Sequence, residues 1–160
     1  MKKNKIILAA TMLIFVAALL LSRNSYLVLS DTDTGKIYQK FGTDEVVTFE
    51  IEFIHSVNKT PVADIYTIED ETIILSATRY RGFGAGVPTE LEGEQVLTYD
   101  NEGNMIITGY NLRLDNVHYI VGTVYDHILK INEKETINLT QLCGKNANVT
   151  FEVKKLFPWQ

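Results

Sequence analysis

The pair His55-Ser56 is the first place where residue types suggest chemistry. An imidazole can transfer protons or hold an anion near neutral pH. His55 cannot form a catalytic dyad with Ser56, because neighbouring residues on a strand point to opposite faces. Three roles for His55 remain open from the sequence: a buried ring satisfied by a carboxylate or a carbonyl, a ligand contact, or a catalytic group.

The stretch Lys59-Thr60-Pro61 follows directly and adds an amine and a hydroxyl. Proline cannot donate a hydrogen bond to a strand ladder, so Pro61 predicts a turn or a strand edge. Asp64 and Tyr66 come next, two residues apart, and therefore share one face of the following strand. Across a strand pair these side chains would meet His55, which predicts a polar cluster of histidine, aspartate and tyrosine at one sheet edge.

A glycine-rich loop is the second candidate site. Its glycines are Gly82, Gly84 and Gly86, and Arg79 and Arg81 precede them. Glycine adopts positive φ readily, and outward-pointing amides can form a concavity that binds an anion. The loop therefore predicts either an anion or ligand site, to which the arginines supply charge, or a tight crossover between sheets that needs small residues.

The rest of the sequence contains no pattern typical of a cofactor or metal site. No helix-forming run follows the glycine-rich loop, so the loop is neither a dinucleotide-binding motif nor a P-loop. His55, His118 and His127 lack short ligand spacing, and Cys143 is the single cysteine. We therefore expect no cofactor and no metal, and we expect Cys143 to be a small buried hydrophobe.

The charge of the chain argues against a nucleic-acid partner. The chain has 160 residues and a formal net charge of -5. Three of the fifteen basic residues precede residue 6, which leaves twelve Lys and Arg against twenty Asp and Glu in residues 23–160, a net charge of -8. Phosphate binding requires a basic footprint, which this acidic part lacks.

The N-terminal segment predicts the compartment. Lysines at positions 2, 3 and 5 precede sixteen uncharged residues, 6–21. This segment is a signal peptide or an uncleaved anchor, and the lack of a small-x-small cleavage signal before Arg23 favours the anchor. By the positive-inside rule, residues 1–23 then hold an extracytoplasmic β-domain, residues 24–160, on the outer side of the cell membrane. If the segment is cleaved, the domain is secreted.

Beyond Arg23 the periodicity is that of β-strands. Residues 46–57 alternate, with Val47, Phe49, Ile51, Phe53, His55 and Val57 on the predicted buried face. Turn-forming residues between short strands predict three hairpins, which join residues 26–30 to 36–41, 63–69 to 72–77, and 95–99 to 105–110. Further strands are predicted at residues 117–125, 128–131, 136–139 and 148–154, and a helical turn at residues 140–144.

These elements predict an all-β domain. About nine to eleven short antiparallel strands would form a sandwich or a partly open barrel, preceded by one N-terminal apolar helix. The order of the strands decides between those two architectures, and periodicity does not supply that order.

Two motifs in the chain resemble those of a known family. Residues 53–62 read FIHSVNKTPV, Tyr66 follows, and residues 83–88 read FGAGVP. The motifs and their spacing resemble a bacterial domain-of-unknown-function family, number eighteen-fifty, over most of residues 26–154. The resemblance implies a small exported protein, often encoded beside a TAXI-type TRAP transporter for organic anions, with an accessory role at that transporter. It implies no particular reaction.

The favoured interpretation is a non-enzymatic, membrane-anchored binding domain whose partner is the TRAP transporter permease or its solute-binding protein. An exported hydrolase that uses His55 is one alternative, against which stands the lack of a nucleophile elbow. A structural envelope domain without a ligand is the other. The expected surface for contact with a partner or an anionic ligand consists of His55, Ser56, Lys59, Thr60, Pro61, Asp64, Tyr66, Arg79, Arg81, Gly82, Gly84 and Gly86.

Overall fold

The structure is a computed structural model that describes residues 11–14, 24–82, 87–88 and 90–157. Residues 11–14 are helical, and the rest of the predicted N-terminal helix lies outside the described residues. Within the described ranges, no helix has both the length and the apolar character needed to cross a membrane. The described part of the domain is mostly β and contains eleven strands in two antiparallel sheets, which confirms the predicted all-β character and strand number.

Eleven strands and one short helix form the described part of the β-domain. In chain order they are β1 (Asn24–Asp31), β2 (Ile37–Gly42), β3 (Thr48–Ile54), β4 (Pro61–Glu69), β5 (Thr72–Tyr80), β6 (Val96–Tyr99), β7 (Met105–Leu114), β8 (Asn116–Ile120), β9 (Ile128–Ile131), β10 (Glu135–Asn138), helix α1 (Leu139–Cys143) and β11 (Asn148–Leu156). All three predicted hairpins and the predicted helical turn are confirmed.

The two sheets differ in size. The smaller has the strand order β2-β1-β11-β8, and the larger has the order β10-β9-β3-β4-β5-β7-β6. Within the described ranges neither sheet closes on itself. Local chemistry fixes the turns: Asp70 and Glu71, which join β4 to β5, have φ of 48° and 62°, the left-handed values that a tight two-residue hairpin turn requires.

One hydrophobic core receives side chains from both sheets. Leu27 and Phe151 of the smaller sheet and Phe49 and Ile51 of the larger sheet are all fully buried in it. The ring of Phe49 stacks on that of Phe151 with their centroids 5.5 Å apart, and on that of Tyr66 at 4.8 Å. Because successive strand residues alternate, the inward position of Phe49 and Ile51 turns the carboxylates of β3 to the outer face of the larger sheet.

The strands run between two ends of the domain. The end that carries the turn of residues 55–60, the turn of residues 100–104 and the loop of residues 121–127 is called here the motif pole. The opposite end carries the start of β1, the end of β11 and the turn between β4 and β5, and is called the terminal pole. Contacts between the sheets define this terminal pole, because Glu71 accepts a hydrogen bond from Ser25 at 2.5 Å and pairs with Lys155 at 3.0 Å.

Two strands end earlier than their apolar sequence pattern predicts. β3 ends at Ile54, so the prediction that His55 and Val57 share the buried face of Phe49 is wrong. β8 ends at Ile120, and its predicted extension to residue 125 is instead a loop. In both cases apolar residues continue along the chain after the pairing with the partner strand has ended. The apolar pattern alone does not show where that pairing ends.

Candidate functional site

His55 organises the turn between β3 and β4. Its Nδ1 accepts hydrogen bonds from the backbone amides of Val57 and Asn58, both at 3.3 Å. The expected partner for a buried ring, a carboxylate or a carbonyl, is therefore replaced here by two amides. Because Nδ1 is an acceptor, the proton of the neutral ring lies on Nε2, which makes Nε2 a hydrogen-bond donor at the motif pole.

Backbone hydrogen bonds hold this turn in one conformation. The amide of His55 donates to the carbonyl of Thr60 at 2.9 Å, and the amide of Lys59 donates to the carbonyl of His55 at 2.8 Å. Lys59 has a φ of 53°, in the left-handed region. Ser56 and Lys59 are exposed, so the turn presents a hydroxyl and an amine to solvent beside the imidazole.

The two polar stretches of the sequence meet at the motif pole. Pro61 is the first residue of β4, as expected for a proline beside a turn, and its carbonyl accepts a hydrogen bond from the amide of Arg81 at 3.2 Å. The strand register adds a second link, because Arg79 lies opposite Ala63. The turn that begins at His55 and the start of the glycine-rich loop are therefore neighbours.

Four charged side chains form a network on the outer face of the larger sheet. Arg79 contacts Glu50 at 2.5 Å and Glu52 at 3.4 Å, and Lys130 contacts each of these carboxylates at 3.0 Å. Glu50 is only 8% exposed, so its charge depends on these partners. Burial alone would lower the pKa of Lys130, but its hydrogen bonds to Glu50 and Glu52 and the charges of these carboxylates raise it, which keeps the amine protonated.

A recess of about 380 Å³ lies beside this network. Its charged lining consists of Glu52, Arg79, Arg81, Asp100, Glu102 and Lys130. Arg79 and Lys130 are neutralised by their carboxylate partners, whereas Arg81 is exposed and forms no ion pair with the described residues. The recess therefore suits a ligand or protein surface that carries both signs of charge, with Arg81 as its available cation.

The glycine-rich loop is described only in part. Gly82 follows Arg81 and has no positive φ, so the predicted left-handed backbone is wrong at this position. Gly84 and Gly86 lie outside the described residues. Arg81 and Gly82 are the parts of this loop that the structure describes, and the anion site predicted here stays a prediction.

Tyr66 is buried and Asp64 is partly buried, and neither meets His55. Asp64 accepts hydrogen bonds from the hydroxyls of Tyr119, at 2.6 Å, and Thr78, at 3.1 Å. The hydroxyl of Tyr66 lies 2.8 Å from that of Tyr119. The predicted cluster of histidine, aspartate and tyrosine is wrong, because the register places Asp64 opposite Ile51, three residues before the end of β3.

This interior cluster joins the two sheets. Tyr119 belongs to β8 of the smaller sheet, whereas Asp64 and Tyr66 belong to β4 of the larger one. Burial, and then the charge of Asp64, raises the pKa of both tyrosines well above the usual value. Both phenols therefore stay protonated and act as donors, which suits a structural clasp rather than a proton-transfer site.

A second recess, of about 390 Å³, lies at the motif pole between the turn of residues 55–60 and the loop of residues 121–127. The ring of His127 stacks on that of Phe53 with their centroids 5.2 Å apart, and its Nδ1 accepts the amide of Gly122 at 3.0 Å. Burial lowers the pKa of His127, against an opposing effect of its hydrogen bond with the backbone of Tyr125. The imidazole of His127 is therefore neutral, and together with the ring of Phe53 it forms an aromatic wall of this recess.

The site predicted from the sequence does not include several of these residues. The alternation of β3 places Glu50 and Glu52 on its outer face, but nothing in the sequence pairs them with Lys130, about eighty residues later. Tyr119 and His127 likewise reach the site through strand order alone. No group of three or more His, Cys, Asp or Glu side chains is placed to hold a metal ion in the part of the chain that the structure describes.

Comparison with known proteins identifies one family. The sequence model of a family described as a domain of unknown function, DUF1850, matches residues 49–139, more than half of the chain. The match includes both polar stretches and the loop of residues 121–127. No curated protein and no solved structure matches the chain.

Proposed function

We propose that this chain, which belongs to the DUF1850 family of domains of unknown function, is a non-enzymatic binding domain that assists a solute transporter. The N-terminal apolar segment anchors it in the cell membrane, and the β-domain lies outside the cytoplasm. Its partner is a TAXI-type TRAP transporter for organic anions, either the permease or the solute-binding protein. The two sheets form a β-sandwich, an arrangement supported by the stacking of Phe49 on Phe151 between them.

The recess beside Arg81 carries this proposal. It lies where the two polar stretches meet, and its volume of about 380 Å³ falls within the range of small-molecule and side-chain binding sites. Its lining mixes guanidinium, ammonium and carboxylate groups at fixed positions, since Arg79 and Lys130 are held by Glu50 and Glu52. A preorganised charged surface of this kind favours recognition, because little side-chain freedom remains to be lost on binding.

The chemistry of the nucleophiles and histidines supports binding more than hydrolysis. A nucleophilic mechanism requires a hydroxyl or thiol within hydrogen-bond reach of a base. Burial raises the pKa of Cys143 to about 11, so its thiol stays protonated near neutral pH. The hydroxyl of Thr150 does contact an imidazole, that of His118 at 2.9 Å, but Thr150 is buried and is also bonded to Thr32.

Reversing the charge of Arg81 tests the proposal. We expect the full-length Arg81→Glu protein to retain about a tenth or less of the transporter component that co-purifies with the wild-type protein from its native membrane, because a repulsive charge replaces the available cation of the recess. Arg79 is unsuitable for this test, since its loss would leave the buried Glu50 with Lys130 as its cationic partner and would disturb the charged network itself. Quantitative mass spectrometry of the detergent-solubilised complex gives the ratio.

The matched control is Arg113→Glu, which makes the same charge change at another exposed arginine, on the strand end towards the terminal pole. This control is expected to co-purify like the wild-type protein. Equal recovery with Arg81→Glu and Arg113→Glu would show that the recess is not the contact surface, and recovery of no transporter component with the wild-type protein would overturn the accessory role itself.

A further inference from the structure

Both ends of the described β-domain lie at the terminal pole. β1 begins at Asn24, and Asn24 lies opposite Leu156 at the end of β11. The adjacent contacts of Ser25 and Lys155 with Glu71 place the turn between β4 and β5 at the same end. The chain therefore enters and leaves the domain at the pole that is farthest from His55.

The linker between the proposed anchor and this pole is short. The apolar segment ends at Leu21, so only Ser22 and Arg23 separate it from the first residue of β1. Three Cα-to-Cα steps span at most roughly 11 Å. If the segment spans the bilayer, the terminal pole is held against the membrane surface.

The motif pole then lies well above that surface. β4 runs from the motif pole to the terminal pole over nine residues, a length of roughly 26 Å at the rise of an antiparallel strand. At the tip of the terminal pole Lys155 is paired with Glu71, and Asp70 adds a further negative charge, so these residues give the tip no excess of positive charge to attract anionic headgroups.

Apolar side chains are exposed on the motif pole. Val57 is 69% exposed in the turn of residues 55–60, and Val124 is 80% exposed in the loop of residues 121–127. These two segments flank the recess of about 390 Å³. Exposed apolar residues beside a concave site and bordered by charged groups are typical of protein-binding surfaces.

We propose that the motif pole stands away from the membrane and docks a soluble extracytoplasmic protein, with Val57 and Val124 among its apolar contacts. The inference rests on the proposed function for the anchor and for the existence of a transporter partner. The inference goes beyond the proposed function because it selects the class of partner. The membrane-embedded part of a permease lies below the terminal pole, so it cannot reach a surface that is roughly 26 Å higher.

Two measurements on the full-length chain test this. In the first, a fluorophore is attached at Val57→Cys or at Asn24→Cys, each in a Cys143→Ala background, and the protein is reconstituted in vesicles of phosphatidylethanolamine and phosphatidylglycerol with an acceptor dye on the headgroups. We expect strong energy transfer from position 24 and several-fold weaker transfer from position 57. Equal transfer would mean that the domain lies flat and would overturn the proposal.

In the second, the photocrosslinking residue benzoylphenylalanine replaces Val124 in the native membrane, with Leu112, exposed on the end of β7 towards the terminal pole, as the control position. We expect an adduct from position 124 alone, with a protein that peptide mass spectrometry identifies as lacking membrane-spanning segments. An adduct with an integral membrane protein, an adduct with a second copy of this chain, or no adduct would overturn the proposal. Equal recovery with Arg81→Glu and Arg113→Glu, together with the expected energy transfer, would instead refute only the claim that the charged recess is the contact surface.

Discussion

Replacing Tyr119 by phenylalanine is expected to lower the free energy of unfolding by about 2 to 3 kcal/mol, because hydrogen bonds to charged groups contribute about that much and the carboxylate left behind is partly buried. The hydroxyl of Tyr119 donates to Asp64 at 2.6 Å and lies 2.8 Å from the hydroxyl of Tyr66. Its removal leaves the carboxylate of Asp64 with the hydroxyl of Thr78 as a side-chain donor. Denaturant unfolding of the full-length protein in detergent measures the change.

The matched control for this change is Tyr99→Phe. Tyr99 is 60% exposed at the end of β6, so the loss of its hydroxyl is expected to cost less than about 0.5 kcal/mol. A Tyr119→Phe protein as stable as this control would contradict the view that Asp64 and Tyr119 clasp the two sheets together.

Replacing Gly109 by alanine is expected to destabilise the domain by about 2 to 4 kcal/mol, since two costs combine at this position. Gly109 has a φ of 79°, which an alanine adopts only with strain. An added Cβ would also lie 2.2 Å from the backbone carbonyl oxygen of Glu94, which cannot move aside as a side chain could. The edge strand β6 would therefore shift away from β7.

Gly103→Ala separates these two costs. Gly103 has a φ of 81°, but no atom lies within 4 Å of an added Cβ. Only the conformational cost of about 1 kcal/mol is expected at this position. Thermal unfolding midpoints that fall equally in both variants would contradict the close approach of the Glu94 backbone to β7.

Local sequence signals predict the hairpins well because their causes are local. Asp70 and Glu71 mark the turn between β4 and β5, and the structure gives both the left-handed φ that such a turn needs. The alternation of β3 likewise places Phe49 in the core and Glu50 on the outer face. These features depend on residues a few positions apart.

The candidate site is predicted less completely because its contacts depend on strand order. Tyr119 reaches Asp64 from the other sheet, and Lys130 reaches Glu50 because β9 lies beside β3. Neither pairing leaves a periodic signal. His55 shows a further limit: the apolar alternation continues to Val57, but two turn amides bond to the imidazole and the ladder ends before it.

Hydrogen exchange of the full-length protein, alone and in the complex purified from its native membrane, tests whether the motif pole is the binding surface. We expect slower amide exchange in the complex for residues 55–60 and 121–127, and unchanged exchange for residues 69–72 at the terminal pole. Protection confined to residues 69–72, or exchange that is the same in both samples, would contradict the claim that the motif pole is the binding surface.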